Sequence, residues 1–478
     1  MTPVTDIIAL AAAELGGAFR SRELSPVEVA KVLLSRIDEV DESLNAFCLL
    51  DSDETLRQAR AAESRLASGE PLGPLDGVPV AIKDVFLTAG WPTLKGSKIV
   101  DQDQQWNDDA PAVARLREAG AVFVGKTTTP EFGWKGLTDS PLVGVTRNPW
   151  DTALTPGGSS GGSAAALAAG MAPLALGTDG GGSIRIPGSF TGTTGIKPTF
   201  ARVPHWPMSP FGTLAHAGPM ARTVADTALL LQVLAGDDAR DWTALPTNTV
   251  DFPASLDGGV AGLRVAFSLT LGYVDVDPEV AAAVAKAAEV FESLGARVVA
   301  HDPGFSDPLH TWEVLWYAGA AAVVADLDEQ QRALLDPGLD EITAEGASLT
   351  ALDYMRAVQE RIGIAVTLSA MLSDDFDLLL TPTMPIPPFT AGAEVPRDWP
   401  HRRWQTWAPF SLPFNLSQQP AATLPCGLNA EGLPIGLQIV AAKHRDDLVL
   451  RAARAYETAS ADAEHDFTRP LDSVRSSD

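Results

Sequence analysis

The chain has 478 residues, enough to bury a large core as one α/β domain or as two domains. Hydrophobic residues make up 45% and charged residues 20%, a balance typical of a soluble globular protein. The 61 acidic residues outnumber the 35 basic ones and give a net charge of −26, which argues against nucleic acid, an anionic membrane or a polyanionic substrate as a partner unless a local pocket departs from this mean.

The first part of the chain predicts helices. Residues 7–19 are apolar but include Glu14 and are too short to span a bilayer, and no basic leader precedes them. Ser25 predicts a helix start, because a proline and then a glutamate follow it at the positions that favour a first turn. A second helix is predicted over residues 53–68. We expect residues 1–70 to form a helical appendage packed on the core of a single compact α/β domain, residues 71–478, in a cytoplasmic protein.

Helix-like and strand-like segments alternate through the rest of the chain. Residues 77–82 form an apolar run rich in β-branched residues, which predicts a strand that ends at Lys83. This alternation indicates a layered α/β fold. The further predicted strands are residues 121–125, 262–269, 296–300, 377–381 and 435–440, and the further predicted helices are residues 109–119 and 277–294.

Neither the cysteines nor the histidines predict a metal site. The only cysteines, Cys48 and Cys426, are too few for a disulfide framework. Together with the 7 histidines they show no spacing that suits a metal ion. We therefore predict neither a metal nor another cofactor.

Two glycine-serine clusters lie close together in the middle of the chain, at residues 157–163 and 180–183. The segment between them, residues 164–170, is rich in good helix formers. A loop, a helix and a second loop would bring the two clusters to one point. Glycines allow sharp turns and close approach of a ligand, and serine hydroxyls can donate, accept or attack.

Three general interpretations of these clusters compete. A flexible linker is disfavoured, because a helix-like segment interrupts the glycines and Ile184 and Ile186 follow them. A phosphate-binding loop lacks its usual lysine after the glycines. A nucleophile elbow fits Ser159 or Ser160 and would make the protein a His-dependent serine esterase of the α/β-hydrolase type. That interpretation needs a downstream acid and histidine, for which residues such as His301 and His444 are available.

A fourth interpretation accounts for more of the sequence. It rests on motifs spread along nearly the whole chain, at residues 77–84, 157–163, 178–185, 195–199, 218–224, 381–383 and 433–438. In these motifs and in their order, the sequence resembles the amidase signature family, whose members hydrolyse amides with a Ser–cis-Ser–Lys triad. The resemblance implies a large mixed β-sheet covered by helices on both faces.

The resemblance assigns a role to each residue of the clusters. Ser183 would be the nucleophile, Ser159 the bridging serine after a cis peptide bond, and Lys83 the base. The amides of residues 180–183 would form the oxyanion hole for an acyl-enzyme mechanism. The residues expected there are Gly180, Gly181, Gly182 and Ser183, supported by Ser160, Thr178 and an Asp179–Arg185 pair that is expected to be structural.

Elementary chemistry agrees with a lysine base. Amides are poor electrophiles, so a serine that attacks them needs a base and an oxyanion stabiliser. No histidine lies in either cluster or beside Lys83. A lysine would serve as the base only if burial lowered its pKa.

The sequence gives weaker signals for the substrate pocket than for the triad. The position of Gly133 lies at the acyl pocket in relatives, so Gly133 and Trp134 are pocket candidates, as is Ser159; alternatively Trp134 caps the core. Residues 203–211 and the tryptophan-rich segment 387–413, which we expect to be a long loop over the site, suggest an apolar and aromatic pocket.

The expected partner is a small-molecule amide. Aryl or alkyl carboxamides are the first choice of substrate class. Carbamates, urethanes and nylon-type oligomers, which relatives use, extend that class. Arg185 is followed by Ile186 instead of the glutamine of amidotransferase subunits, so a tRNA-linked role is disfavoured; that role or a non-catalytic subunit remains the alternative. We expect a monomer or homodimer without nucleic acid or membrane partners.

Overall fold

An eleven-stranded mixed sheet organises the protein, as seen in a computed structural model that describes residues 4–247, 249–461 and 467–473. The strands of the described residues are, in chain order, β1 (Phe47–Leu50), β2 (Pro79–Lys83), β3 (Val122–Thr127), β4 (Asp139–Ser140), β5 (Gly144–Val145), β6 (Leu174–Asp179), β7 (Thr194–Lys197), β8 (His216–Ala221), β9 (Arg264–Phe267), β10 (Arg297–Ala300), β11 (Leu378–Pro382), β12 (Ala421–Leu428) and β13 (Pro434–Ala441). Their order across the sheet is β1-β3-β2-β6-β8-β7-β12-β13-β11-β9-β10, and β4 and β5 form a separate hairpin.

Helices fill most of the connections. In chain order the described α-helices are α1 (Val4–Ala9), α2 (Ala12–Ser21), α3 (Pro26–Leu44), α4 (Ser52–Ser68), α5 (Pro111–Glu118), α6 (Gly161–Ala168), α7 (Arg185–Thr191), α8 (Val224–Leu234), α9 (Phe252–Ser255), α10 (Pro278–Ser293), α11 (Leu309–Val323), α12 (Glu329–Arg332), α13 (Pro337–Ser348), α14 (Ala351–Ala370), α15 (Leu412–Ser417), α16 (Asp446–Ala459) and α17 (Arg469–Ser473). Within the described ranges, none of them is long and apolar enough to cross a membrane.

Helices cover both faces of the sheet, which confirms the fold predicted from the resemblance. Successive strand residues point to opposite faces. On β11, Leu378 and Leu380 therefore belong to one apolar cluster, which α2, α8, α10 and α16 complete. Leu379 between them belongs to the other cluster, to which α11, α13 and α14 contribute. The sheet is thus the middle layer of three.

The N-terminal region is not made of helices alone. Ser25 caps α3 as predicted, since its hydroxyl accepts the Val27 N–H at 3.0 Å. The apolar residues between α3 and α4 form β1, which pairs antiparallel with β3 at the edge of the sheet. This strand was not predicted, because four residues between two helices give too short a pattern to identify.

The site lies where two neighbouring parallel strands end. Strand β2 pairs parallel with β6, so that Ile82 is opposite Leu176. The carboxyl ends of both strands therefore meet at one edge, and Lys83 and Thr178 lie there. Crevices at such edges are where α/β proteins bind ligands.

Candidate active site

Lys83 is the last residue of β2, and its side chain is completely buried. Its ammonium nitrogen contacts three hydroxyl groups. Lys83 Nζ lies 2.7 Å from Ser159 Oγ, 3.0 Å from Ser160 Oγ and 2.8 Å from Thr178 Oγ1. The structure therefore brings together three predicted site residues from distant segments around one lysine.

Burial determines the acid-base behaviour of this lysine. Desolvation lowers the pKa of Lys83 well below its ordinary value, and the negative charge of nearby Asp179 opposes the shift only in part. Within the described residues, no carboxylate forms an ion pair with Lys83. A neutral amine is therefore favoured far more than at an exposed lysine.

The two glycine-serine clusters meet as predicted. The first cluster turns into α6 through Gly158 and Ser159, which are joined by a cis peptide bond. A Cβ atom at Gly158 would lie 2.1 Å from the Leu137 carbonyl oxygen, so a side chain has no room there. The Ser160 N–H donates to the Ser183 carbonyl at 3.1 Å, which ties the first cluster to the second.

The carbonyls of the second cluster are held from behind. Trp312 donates its indole N–H to the Gly180 carbonyl at 3.0 Å. Ser411 donates its hydroxyl to the Gly181 carbonyl at 2.8 Å. In a trans peptide the N–H points opposite to the carbonyl. Both contacts therefore aim the following N–H groups away from Trp312 and Ser411.

One of these N–H groups is already used. The Gly182 N–H donates to Asp179 Oδ1 at 2.9 Å. The N–H groups of Gly180, Gly181 and Ser183 donate no hydrogen bond to any described residue. Of the four predicted oxyanion donors, these three are free and Gly182 is committed.

Asp179 and Arg185 form the buried ion pair that was expected. Arg185 Nη2 lies 2.8 Å from Asp179 Oδ1, and neither side chain is exposed to solvent. Burial alone would raise the pKa of Asp179. Arg185 and the other groups that donate hydrogen bonds to the Asp179 carboxylate hold that pKa far below its ordinary value. The guanidinium also donates to Gln438 and Asn415, at 2.8 and 2.6 Å. The pair fastens the turn that carries Ser183 to the core.

A cavity of about 250 Å³ opens over Ser159, Thr178 and Ser183. Its wall includes part of the segment that was predicted to shape the pocket. Phe211, from that segment, stacks on Trp316 of α11 with 3.5 Å between the ring centroids. The lining residues are Val85, Lys95, Phe132, Gly133, Ser159, Thr178, Gly180, Ser183, His205, Pro207, Met208, Ser209, Pro210, Phe211, Ala215, Trp316 and Val323.

The structure separates the two pocket candidates Gly133 and Trp134. Gly133 has a φ of +72° and lines the cavity, where an added Cβ would lie 3.3 Å from Ser159 Oγ. Trp134 does not line it. Its indole is buried against Gly338 of α13. The chain reverses at Gly133, so the next side chain points into the core, where Trp134 acts as an aromatic cap.

Residues 387–413 do not cover the cavity as expected, since none of them lines it. Trp404 and Trp407 in this segment are almost fully buried. Trp404 packs behind the glycine turn, 3.1 Å from where a Gly181 Cβ would lie. The tryptophans therefore belong to the core, and the aromatic wall of the cavity comes from α11 and residues 205–211 instead.

The nucleophile-elbow interpretation requires a histidine that is hydrogen-bonded to the catalytic serine. No described histidine forms a hydrogen bond with Ser159, Ser160 or Ser183. His301 lies against Phe376, and His444 is exposed. His216 is buried and shares its Nδ1 with backbone carbonyl oxygens. Across the described ranges, no three His, Cys, Asp or Glu side chains converge on a possible metal position.

Three residues of the site were not predicted from the sequence: Trp312, Trp316 and Lys95. The two tryptophans lie four residues apart on α11, a spacing that places them on one face of a helix. That spacing could have identified an aromatic wall but not what it faces. Lys95 carried no signal beyond residue type, whereas His205 lies in segment 203–211, which was predicted to shape the pocket.

Comparisons with known proteins agree with this geometry. The sequence profile described as Amidase matches residues 28–450. An acylamidase from Rhodococcus erythropolis is 39% identical over 97% of this chain and 98% of its own length. A glutamyl-tRNA(Gln) amidotransferase subunit of Salinispora tropica is 37% identical over 95% of this chain and 98% of its own. The crystal structure of a bacterial aryl acylamidase that belongs to the amidase signature enzymes superposes with a TM-score of 0.90 and 31% identity, covering 97% of this chain and 98% of that one.

Proposed function

Because the chain belongs to the amidase signature family of amide-hydrolysing enzymes, we propose that it cleaves the C–N bond of small aryl or alkyl carboxamides through a Ser–cis-Ser–Lys triad and an acyl-enzyme. The observation that carries the proposal is the 2.7 Å contact between buried Lys83 Nζ and Ser159 Oγ, in the wall of a cavity that Ser183 shares.

The hydrogen bonds around Lys83 can all be satisfied by a neutral amine, the form that acts as a base. Ser160 Oγ donates to the Thr178 carbonyl at 3.2 Å, so toward Lys83 it accepts. A neutral amine has two N–H groups and one lone pair. If Ser160 and Thr178 Oγ1 accept the two N–H groups, the lone pair faces Ser159, whose hydroxyl then donates to it. Lys83 would thus be prepared to take a proton from Ser159.

The reaction follows from this arrangement. Lys83 takes the proton of Ser159 as Ser159 takes that of Ser183, whose oxygen attacks the amide carbon. The oxyanion accepts hydrogen bonds from the free N–H groups of Gly180, Gly181 and Ser183. The same relay returns a proton to the leaving amine, and water then hydrolyses the acyl-enzyme.

The cavity supports a substrate with an aromatic or alkyl group. The rings of Phe132, Phe211 and Trp316 give part of its wall an apolar surface. Its volume of about 250 Å³ suits a small molecule rather than a polymer chain. Carbamates, urethanes and nylon-type oligomers extend this class, because each also presents to the serine a carbonyl carbon that is bonded to nitrogen.

A panel of chromogenic anilides, alkyl amides and carbamates, tested on the wild type and on Lys83→Met, tests the proposal. We expect anilide cleavage by the wild type and a loss of several orders of magnitude in Lys83→Met. Lys98→Met removes an exposed lysine from the same part of the chain and serves as the control. Activity that survives Lys83→Met but is lost when one histidine is changed would instead support the esterase alternative.

A second candidate function follows from the similarity to the amidotransferase subunit. In that case the chain would release ammonia from a glutamine side chain for use by a partner. Ile186 follows Arg185 where such subunits carry a glutamine, which disfavours this role. Glutamine hydrolysis that exceeds anilide cleavage would favour it.

A further inference from the structure

One wall of the cavity carries the positive charge of Lys95 in a protein of strongly negative charge. Lys95 and His205 line it beside Ser159 and Ser183, and no acidic side chain of the described residues does. The chain as a whole has a net charge of −26. A cleft lined by one sign of charge concentrates ligands of the opposite sign. The charge of this wall is therefore opposite in sign to the net charge of the protein.

The backbone of Lys95 is fixed while its side chain is free. Its carbonyl accepts the Phe132 N–H at 2.7 Å. Lys95 has a φ of +55°, in the left-handed region that a tight turn requires. The Lys95 ammonium forms no hydrogen bond or ion pair with any described residue. The turn therefore fixes the point at which the half-buried Lys95 side chain leaves the backbone.

The acid whose charge acts on Lys95 is already paired with another lysine. Asp84 lies 3.3 Å from Lys126 Nζ, and both of those side chains are buried. Lys95 itself forms no ion pair with any described carboxylate. Burial lowers the pKa of Lys95, and the charge of Asp84 opposes that shift in part. A bound anion would supply the missing counter-charge.

His205 adds a neutral donor next to this cation. Burial lowers the pKa of His205 to about 4; the negative charge of Asp241 opposes this shift in part, and the positive charge of Lys95 adds to it. Its ring is therefore uncharged at neutral pH and carries one N–H. The ring nitrogens have no hydrogen-bond partner among the described residues, and the ring packs beside Phe86 with 6.0 Å between centroids.

We propose that Lys95 and His205 form a subsite that selects amides bearing one free carboxylate. Lys95 would pair with one carboxylate oxygen and His205 would donate to the same group. The cavity offers one cationic side chain, Lys95, among its lining residues, which suits a single carboxylate. This inference rests on the proposed function, because it concerns the substrate of the same site.

Matched substrate pairs test the subsite. On the amine side, para-acetamidobenzoate is compared with para-methylacetanilide; on the acyl side, N-phenylsuccinamic acid is compared with pentananilide. We expect the wild type to prefer the anionic member of at least one pair. Lys95→Met should lower the anionic-to-neutral ratio of kcat/KM about tenfold or more, mainly through KM, as loss of a charge-assisted hydrogen bond does. Lys95→Arg should retain most of the ratio, and the exposed Lys98→Met all of it.

A binding measurement separates this inference from the proposed catalytic function. In the Ser183→Ala background, calorimetry should show that the preferred anionic amide binds about tenfold or more weakly when Lys95→Met is added. Equal affinities, or an equal loss for both members of each substrate pair, would overturn the subsite even if the enzyme cleaves amides. Absence of amide cleavage by the wild type would count against the proposed function, and the binding ratio would still decide the subsite.

Discussion

Trp312 reaches the back of the candidate oxyanion turn by donating its indole N–H to the Gly180 carbonyl at 3.0 Å. The contact fixes the peptide group whose N–H belongs to Gly181. This N–H is one of the three unused donors of the turn. A buried aromatic on α11 thus controls the direction of a backbone group that the proposed mechanism uses. Trp312 is a positioning residue, since it does not line the cavity itself.

Trp312→Phe should lower kcat by about tenfold and change KM little. The ring would still pack, but the Gly180 carbonyl would lose its partner, and an unsatisfied buried acceptor costs about 1–3 kcal/mol. Trp407→Phe is the matched control, because Trp407 also donates from a buried indole to a carbonyl, that of Glu394, away from the site. Steady-state kinetics on one anilide would check this. Equal kcat losses in both variants would indicate a general packing effect.

Activity should fall as the pH is lowered. Lys83 acts as a base only when neutral, and burial lowers its pKa well below the ordinary value of 10.5. The rate is therefore present above that lowered pKa and lost as the pH falls through it. The pH dependence of kcat should be measured on anilides for which leaving-group effects show that chemistry limits the rate. A flat profile from mildly acidic to alkaline pH would contradict the assignment of Lys83.

Arg185→Met should strongly destabilise the protein. It would leave the Asp179 carboxylate buried without its partner, which typically costs about 3–5 kcal/mol. The exposed Arg57–Glu54 pair provides the comparison, since Arg57→Met should change the free energy of unfolding by only about 0.5 kcal/mol. Urea unfolding of both variants measures the difference. Similar values for the two would show that the buried pair does not hold the turn.

Metal chelators should leave the activity unchanged. The proposed route uses two serines, a lysine and backbone N–H groups, and none of these steps needs a metal ion. The measurement is the rate of anilide cleavage before and after dialysis against EDTA. Loss of activity that a divalent ion restores would overturn the serine mechanism.

Local motifs predicted a large part of this architecture. The α3 cap at Ser25, the meeting of the two glycine-serine clusters and the Asp179–Arg185 pair all follow from residue types at short spacing. Lys83 and Ser159 came from family resemblance, because their separation of 76 positions hides their contact from any local pattern.

The remaining features depend on packing between distant segments. Trp134 and Trp404 look like pocket residues in the sequence, yet both are buried in the core. Which side of a turn a tryptophan faces depends on backbone angles such as the positive φ of Gly133. Lys95 resembles any surface lysine until the structure places it in the cavity wall without a partner.

The central claim is that Ser183 is the nucleophile and that Ser159 relays its proton to Lys83. A fluorophosphonate probe followed by peptide mapping with mass spectrometry tests it most directly. We expect the adduct on Ser183, its loss in Ser183→Ala together with a rate loss of several orders of magnitude, and slow labelling at the same serine in Ser159→Ala. An adduct on Ser159 or Ser160 that persists in Ser183→Ala would contradict the account.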